Sequence, residues 1–246
     1  KLSAQMPYFK EGTSIDEEQR QQLNMVLETG NQAYIDSVMN NVFDDETRLL
    51  FGARAQRERM RMQALTTGAI SITANGQDYD YDYGIPEAHK SNATIPWSNP
   101  DASIYDDIKA GLDKIEDDTG VRPTRATCSS KTWGYFLKNK ELRAALNGNN
   151  SNAPVRESKI KAYIQEELDL EIVKYTKKYK DEAGVDHKFI DDDVFVMFPS
   201  GTLGTSWFGT TPEQSDLMTG NAANVTITDT GVAVTTTKET DPVNVD

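Results

Sequence analysis

Residues able to do chemistry are few in this chain, and they are scattered. Asp78-x-Asp80-x-Asp82 has the spacing that opens a calcium loop, where alternate carboxylates turn onto one hard cation. Such a loop needs Gly at its sixth place and Glu at its twelfth, and here those places hold Tyr83 and His89. A strand with one acidic face and one tyrosine face explains the same letters by period two alone. Asp191-Asp192-Asp193 could hold a divalent cation through oxygen, or form a solvated turn ahead of a strand over 194–198. Cys128 could act as a nucleophile only with a base in reach, and the two histidines, His89 and His187, lie in no catalytic motif. A buried strand cysteine acting as a small hydrophobe accounts for it. Ser200 and Ser206 lie in a glycine-rich stretch without a G-x-S-x-G elbow or the lysine of a phosphate-binding loop. These residues lead us to expect no catalytic residue, no cofactor-binding residue, no metal site and no cofactor. The enzyme alternative is a metal-dependent hydrolase whose pocket joins Asp191–Asp193 to His187.

The arginines are distributed less evenly. Arg48, Arg54, Arg57, Arg59 and Arg61 are five of the chain's ten. Asp44–Arg48 and Arg54–Glu58 have i,i+4 spacing, and Glu58–Arg61 has i,i+3 spacing, so on a helix these can pair locally. Arg57 and Arg59 have no acid at either spacing. They need partners elsewhere: another part of the chain, a neighbouring subunit, or nucleic acid.

The elements that must carry these residues start with a long helix over about 45–67. Asp44-Asp45-Glu46 suits its start, where the macrodipole favours negative charge, and Gly68 suits a left-handed C-cap. Its length would be roughly 34 Å. Leu49, Leu50, Ala53, Met60, Ala64 and Leu65 supply an apolar stripe. A hairpin follows over 69–84, with Ile70 and Ile72 alternating with polar residues and Asn75-Gly76 as its turn.

Upstream, Ser14 and Glu17 form a capping box for a helix to about Thr29, and Asn31 caps a second, short helix ending near Val42. Downstream, a helix begins at 98–101 and carries Ile104, Ile108, Leu112 and Ile115 to Gly120. A buried strand over 123–128 leads into a helix capped by Ser129-Ser130 that bears Trp133, Phe136 and Leu137. A further turn or two covers 140–146. Residues 147–154, Asn-Gly-Asn-Asn-Ser-Asn-Ala-Pro, must be an exposed loop. A helix over 157–168 precedes strands over 171–175, 188–190 and 194–198. In the irregular stretch 199–209, Trp207 and Phe208 are the expected anchors. Strands over 225–228 and 232–236 pair around 229–231.

Composition sets limits on function. A net charge of −13 argues against a free-standing protein that binds DNA or a membrane surface. One cysteine excludes an intrachain disulfide and fits a reducing compartment. No apolar run approaches the ~20 residues of a membrane span, and no signal-peptide pattern opens the chain. The start at Lys1 and the alternating end at Asp246 suggest part of a longer chain.

Several of these segments, taken in order, carry a resemblance. They are RERMRMQALTTGAISITANG at 57–76, Tyr83-Gly84-Ile85-Pro86, Trp97-Ser98, MPYFKEG at 6–12 and FPSGTLGTSWFGTTPE at 198–213. The sequence resembles the lambda-type major capsid proteins of tailed phages (phage capsid protein E), whose fold is the Hong Kong 97 type. The resemblance implies an α+β fold with a long spine helix and an axial domain inserted into a peripheral one. Residues 1–12 would be the remnant of an extended loop, 13–100 the first part of the peripheral domain, 101–205 the axial domain and 206–246 the peripheral return. The implied function is a major head protein of a phage or prophage that self-assembles, through hexamers and pentamers, into an icosahedral shell around double-stranded DNA. Further implied partners are scaffold, portal and decoration proteins; the location is the virion, and the host cytoplasm during assembly. Arg57 and Arg59 are candidate contacts to a neighbouring subunit or DNA, and Asn147, Gly148, Asn149 and Asn150 candidate axial-loop contacts. A decoration protein or an encapsulating-compartment protein is the structural alternative. Without the cross-subunit arm, residues 1–246 alone would stay a monomer or small ring.

Overall fold

The structure, a computed structural model, describes residues 9–10, 12, 21, 24–25, 28, 32–74, 76–148, 153–181, 183–220 and 225–235. The chain forms two compact units, one of residues 1–57, 73–79 and 206–246, the other of 58–72 and 80–205. The extended segment expected over 1–12 and the helix expected over 14–29 fall mostly outside the described residues. Gln21, Asn24, Met25 and Glu28 are helical.

Helix α1 runs unbroken from Gln32 to Thr67, 36 residues, where two helices with a boundary at 43–44 were expected. At about 1.5 Å per residue it is roughly 54 Å long. Asp44-Asp45-Glu46 therefore lies inside the helix and not at its start. The physical reason is that no Gly or Pro occurs between 32 and 51, and an interior Asp costs only about 0.7 kcal/mol or less relative to Ala, too little to break a helix. None of residues 47–67 is fully buried; Met60 and the rest of the expected stripe are half-covered, and Phe51 is 59% exposed.

Gly68 ends the helix as expected, with φ 77° and its N–H donating to Ala64 O at 2.9 Å. A β-carbon there would meet Ile85 at 2.8 Å, so glycine is required twice over. Strands β1 (Ala69–Ala74) and β2 (Gln77–Asp82) form the hairpin. Ile70 and Ile72 are buried, Tyr79 and Tyr81 half-buried, and Asp78, Asp80 and Asp82 exposed, the period-two division of a strand.

The second unit holds the principal core. After a 3₁₀ turn at Glu87–His89, α2 spans Ile104–Thr119, starting later than expected because 99–102 forms a turn of its own. Ile104, Ile108 and Leu112 are fully buried, each contributing about 1.5–3 kcal/mol. Strand β3 (Arg125–Cys128) lies at the centre of a three-stranded sheet, parallel to β4 (Glu171–Lys174) and antiparallel to β7 (Phe195–Phe198). Helices α3 (Ser130–Lys138), α4 (Lys140–Asn147) and α5 (Glu157–Leu168) supply Trp133, Phe136, Leu142, Ile160 and Ile164 to that core. Ser129 caps α3 by accepting from Thr132 N at 3.2 Å. Buried Asn139 caps α4 and donates to Ala102 O at 2.6 Å, which fixes the loop before α2.

Strands β5 (Lys178–Lys180) and β6 (Asp186–Lys188) pair antiparallel, where one strand over 188–190 was expected. In the first unit α6 (Pro212–Thr219), not anticipated, packs on β8 (Val225–Asp229) and β9 (Val232–Thr235).

Candidate assembly surfaces

The arginine run on α1 is bound in by groups far away in sequence. Arg57, half-buried, donates to Thr230 O in the β8–β9 turn at 2.5 Å, 173 residues away. Its guanidinium carbon lies 4.5 Å from the Phe208 ring centroid. Gly231, at φ 66°, leaves room for Phe208, because a β-carbon there would stand 3.0 Å from that ring. In the other unit Glu58 accepts from the Tyr175 hydroxyl at 2.5 Å and pairs with Arg61 at 3.8 Å. Burial, with the Glu58 hydrogen bond second, pushes the Tyr175 phenol well above its ordinary value. Exposed Arg59 lies 5.5 Å from the Tyr179 ring centroid. Both arginines that lack a local acid thus find a partner within the chain, and aromatic rings receive them.

The polar loop is built on the end of α4. Gly148 adopts φ 67°, ψ −150°, a conformation open essentially to glycine alone. Asn147 Nδ2 donates to Ala153 O at 3.2 Å across the loop. Asn149 and Asn150 lie outside the described residues.

The acidic runs are engaged by other groups of the chain. Asp192 accepts from Ser129 Oγ at 2.7 Å and from Lys188 Nζ at 2.7 Å. Asp193, at φ 66°, accepts from Tyr135 Oη at 2.6 Å and Lys131 Nζ at 3.2 Å, and its N–H donates to Thr132 Oγ1. The Asp turn is therefore a clamp on the start of α3. Lys188, then Ser129, hold the Asp192 carboxyl below its usual range. His187 turns away to Asp181 Oδ2 at 2.7 Å, and His89 to Asp118 Oδ2 at 2.9 Å. Cys128 is fully buried and its thiol is pushed up to about 12 by that burial. Asp78 accepts from Thr73 Oγ1 and Asp82 from the Gly84 N–H. Among the described residues no cluster of three or more His, Cys, Asp or Glu is disposed to hold a metal ion, and no helix is long and apolar enough to cross a membrane.

Sequence reasoning missed the β5–β6 hairpin, α6 and the exposure of Trp207. That side chain, expected as an anchor, is 80% exposed, while Phe208 beside it packs under Arg57. Leu217, Met218 and Ile227, on elements that pack together, are exposed as well.

The family model described as phage major capsid protein E matches residues 1–245. The chain belongs to that family. A crystal structure assigned to a capsid protein of a prophage in E. coli CFT073 matches with a TM-score of 0.56 at 20% identity, covering 92% of this chain and 66% of the other. Among curated proteins none matches. The fold is accordingly an α+β phage capsid fold, and this member of the capsid protein E family is a structural capsid protein.

Proposed function

We propose that this capsid protein is the main shell subunit of a tailed phage or prophage, with the Hong Kong 97 arrangement. α1 is the spine helix. Residues 13–100 and 206–246 form the peripheral domain, and 101–205 form the axial domain that packs around the symmetry axes in hexamers and pentamers. The observation that carries this reading is the family match over residues 1–245. Large apolar side chains left in solvent, such as Phe51, Trp207 and Met218, support burial between subunits. Many weak, repeated contacts then close an icosahedral shell around double-stranded DNA, because valency multiplies each one. Arg57 and Arg59 brace the spine at subunit boundaries, and the loop at 147–150 lies at the axial contacts. Scaffold, portal and decoration proteins are the further partners, and the mature location is the virion.

The test is negative-stain microscopy with light scattering on the full-length protein at rising concentration. Closed icosahedral particles are the expected result. A protein that stays monomeric under every assembly condition overturns the proposal.

A further inference from the structure

Hairpin β5–β6 divides its side chains between two faces. Tyr179, in the middle of β5, has His187 stacked on it with centroids 5.4 Å apart and Phe189 at 5.0 Å, and Arg59 reaches the same ring. Lys178 and Lys180 alternate with Tyr179 and are exposed. One face is thus occupied by the chain's own groups, and the other carries bare charge.

That charge is poorly compensated. Lys178 stands directly across from Lys188 in the strand register, a like-charge pair that disfavours the hairpin. Asp192 takes the Lys188 ammonium at 2.7 Å, while among the described residues Lys178 and Lys180 form no ion pair. Residues 174–180 hold four lysines and no acid, in a chain of net charge −13, and of the four Lys174 pairs with Glu157 at 2.9 Å. Lys180 stands across from Asp186 in the register, but among the described residues the two form no ion pair, and Lys178 has no acid opposite it.

A complementary row exists on the same chain. Asp78, Asp80 and Asp82 are exposed along β2; Asp78 and Asp82 each accept one local hydrogen bond, and among the described residues the Asp80 carboxylate has no hydrogen bond or ion pair. Same-face residues on a strand repeat every ~6.8 Å, so a row of lysines on one strand and a row of aspartates on another share one spacing. β2 and β5 each belong to a two-stranded sheet, which leaves each an edge that a neighbour can approach. We infer that Lys178 and Lys180 of one subunit pair with the aspartate row of β2 on a second copy. The contact joins two different patches, so it runs head to tail and can close into a ring. Duplex DNA offers anions too, but net charge −13 repels it outside the immediate reach of the lysines. This inference rests on the reading of the chain as a shell subunit.

Charge reversal on the full-length protein tests it. Lys178→Glu/Lys180→Glu, and separately Asp78→Lys/Asp80→Lys, are expected to raise the concentration needed for assembly about tenfold or more, because each lost contact repeats around the shell. Combining all four changes should bring it back near the native value. Lys178→Gln/Lys180→Gln, with thermal melts on every variant, separates lost pairing from lost folding. Reversed variants that assemble at the native concentration, or a combined variant no better than its parents, overturn the pairing and leave the shell reading standing. Normal shells that fail to retain DNA assign the lysines to DNA and overturn it as well. A native protein that never assembles removes both.

Discussion

Asp192 shows how a residue that looks like a metal ligand can be a fastener. Its carboxylate joins Lys188 to Ser129, the residue that caps α3, so a charge-assisted bond holds a helix start against the turn before β7. Lys188 and Ser129 hold its pKa below the ordinary 3.8. A carboxyl depressed in the folded state contributes stability that is fully present above its unfolded value and is lost as pH falls through the folded one. Asp192→Asn keeps an acceptor for Ser129 but removes the charge facing Lys188. It should therefore lower stability by about 1 kcal/mol near neutral pH, the ordinary worth of a partly exposed charged contact. The difference between native and variant should shrink as pH falls below the ordinary 3.8. Urea titrations at about pH 6 and about pH 3 measure it. A constant difference at both pH values would show that the contribution is packing and not charge.

Element boundaries decide how α1 works, and one substitution distinguishes its two possible forms. If a helix started with Asp44 as its cap, Asp45 would be the first helical residue, the place where proline is most welcome. In the continuous helix Gln32–Thr67, Asp45 is interior, and proline there removes a hydrogen bond and clashes with the preceding turn. Asp45→Pro should accordingly cost about 3 kcal/mol or more and lower helical content by circular dichroism. A variant as stable as the native protein would restore the two-helix form. Where local chemistry alone decides, the elements were legible: Gly68 and Gly120 ended helices, Ser129 began one, and the apolar spacing of 157–168 gave α5 to the residue. Competing local signals account for the rest. The acids at 44–46 imitate a start, and Phe189 with Ile190 drew a strand downstream of the one that Lys180 and Asp186 define by pairing. Thr211-Pro212-Glu213 did carry the cap, proline and acid of a helix start, but its glycine-rich approach obscured α6. The partners of Arg57 and Arg59 lay beyond reach, because nothing in a helix's own spacing points to a turn 173 residues away.

At the scale of the whole molecule, charge opposes the assembly that uncovered apolar surface favours. Each subunit carries net charge −13, so copies repel one another at long range. Trp207 at 80% exposed and Met218 at 78% gain by being covered, whatever the salt. Screening shortens the repulsion from ~30 Å at 0.01 M salt to ~8 Å at 0.15 M, so adding salt first helps copies meet. The same screening weakens exposed lysine–aspartate contacts, which act at short range and give way only at higher ionic strength. Assembly of the full-length protein should therefore pass through a maximum as salt rises. In Lys178→Gln/Lys180→Gln the specific attraction is gone while the repulsion between subunits is a little larger. Its assembly should be weaker at every salt concentration and should rise without a maximum. Static light scattering across a salt series, with microscopy at each point, reads both curves. A native curve that falls steadily from the lowest salt would mean that attraction between charges dominates from the start. Superimposable native and variant curves would mean that the lysine face contributes nothing to shell formation.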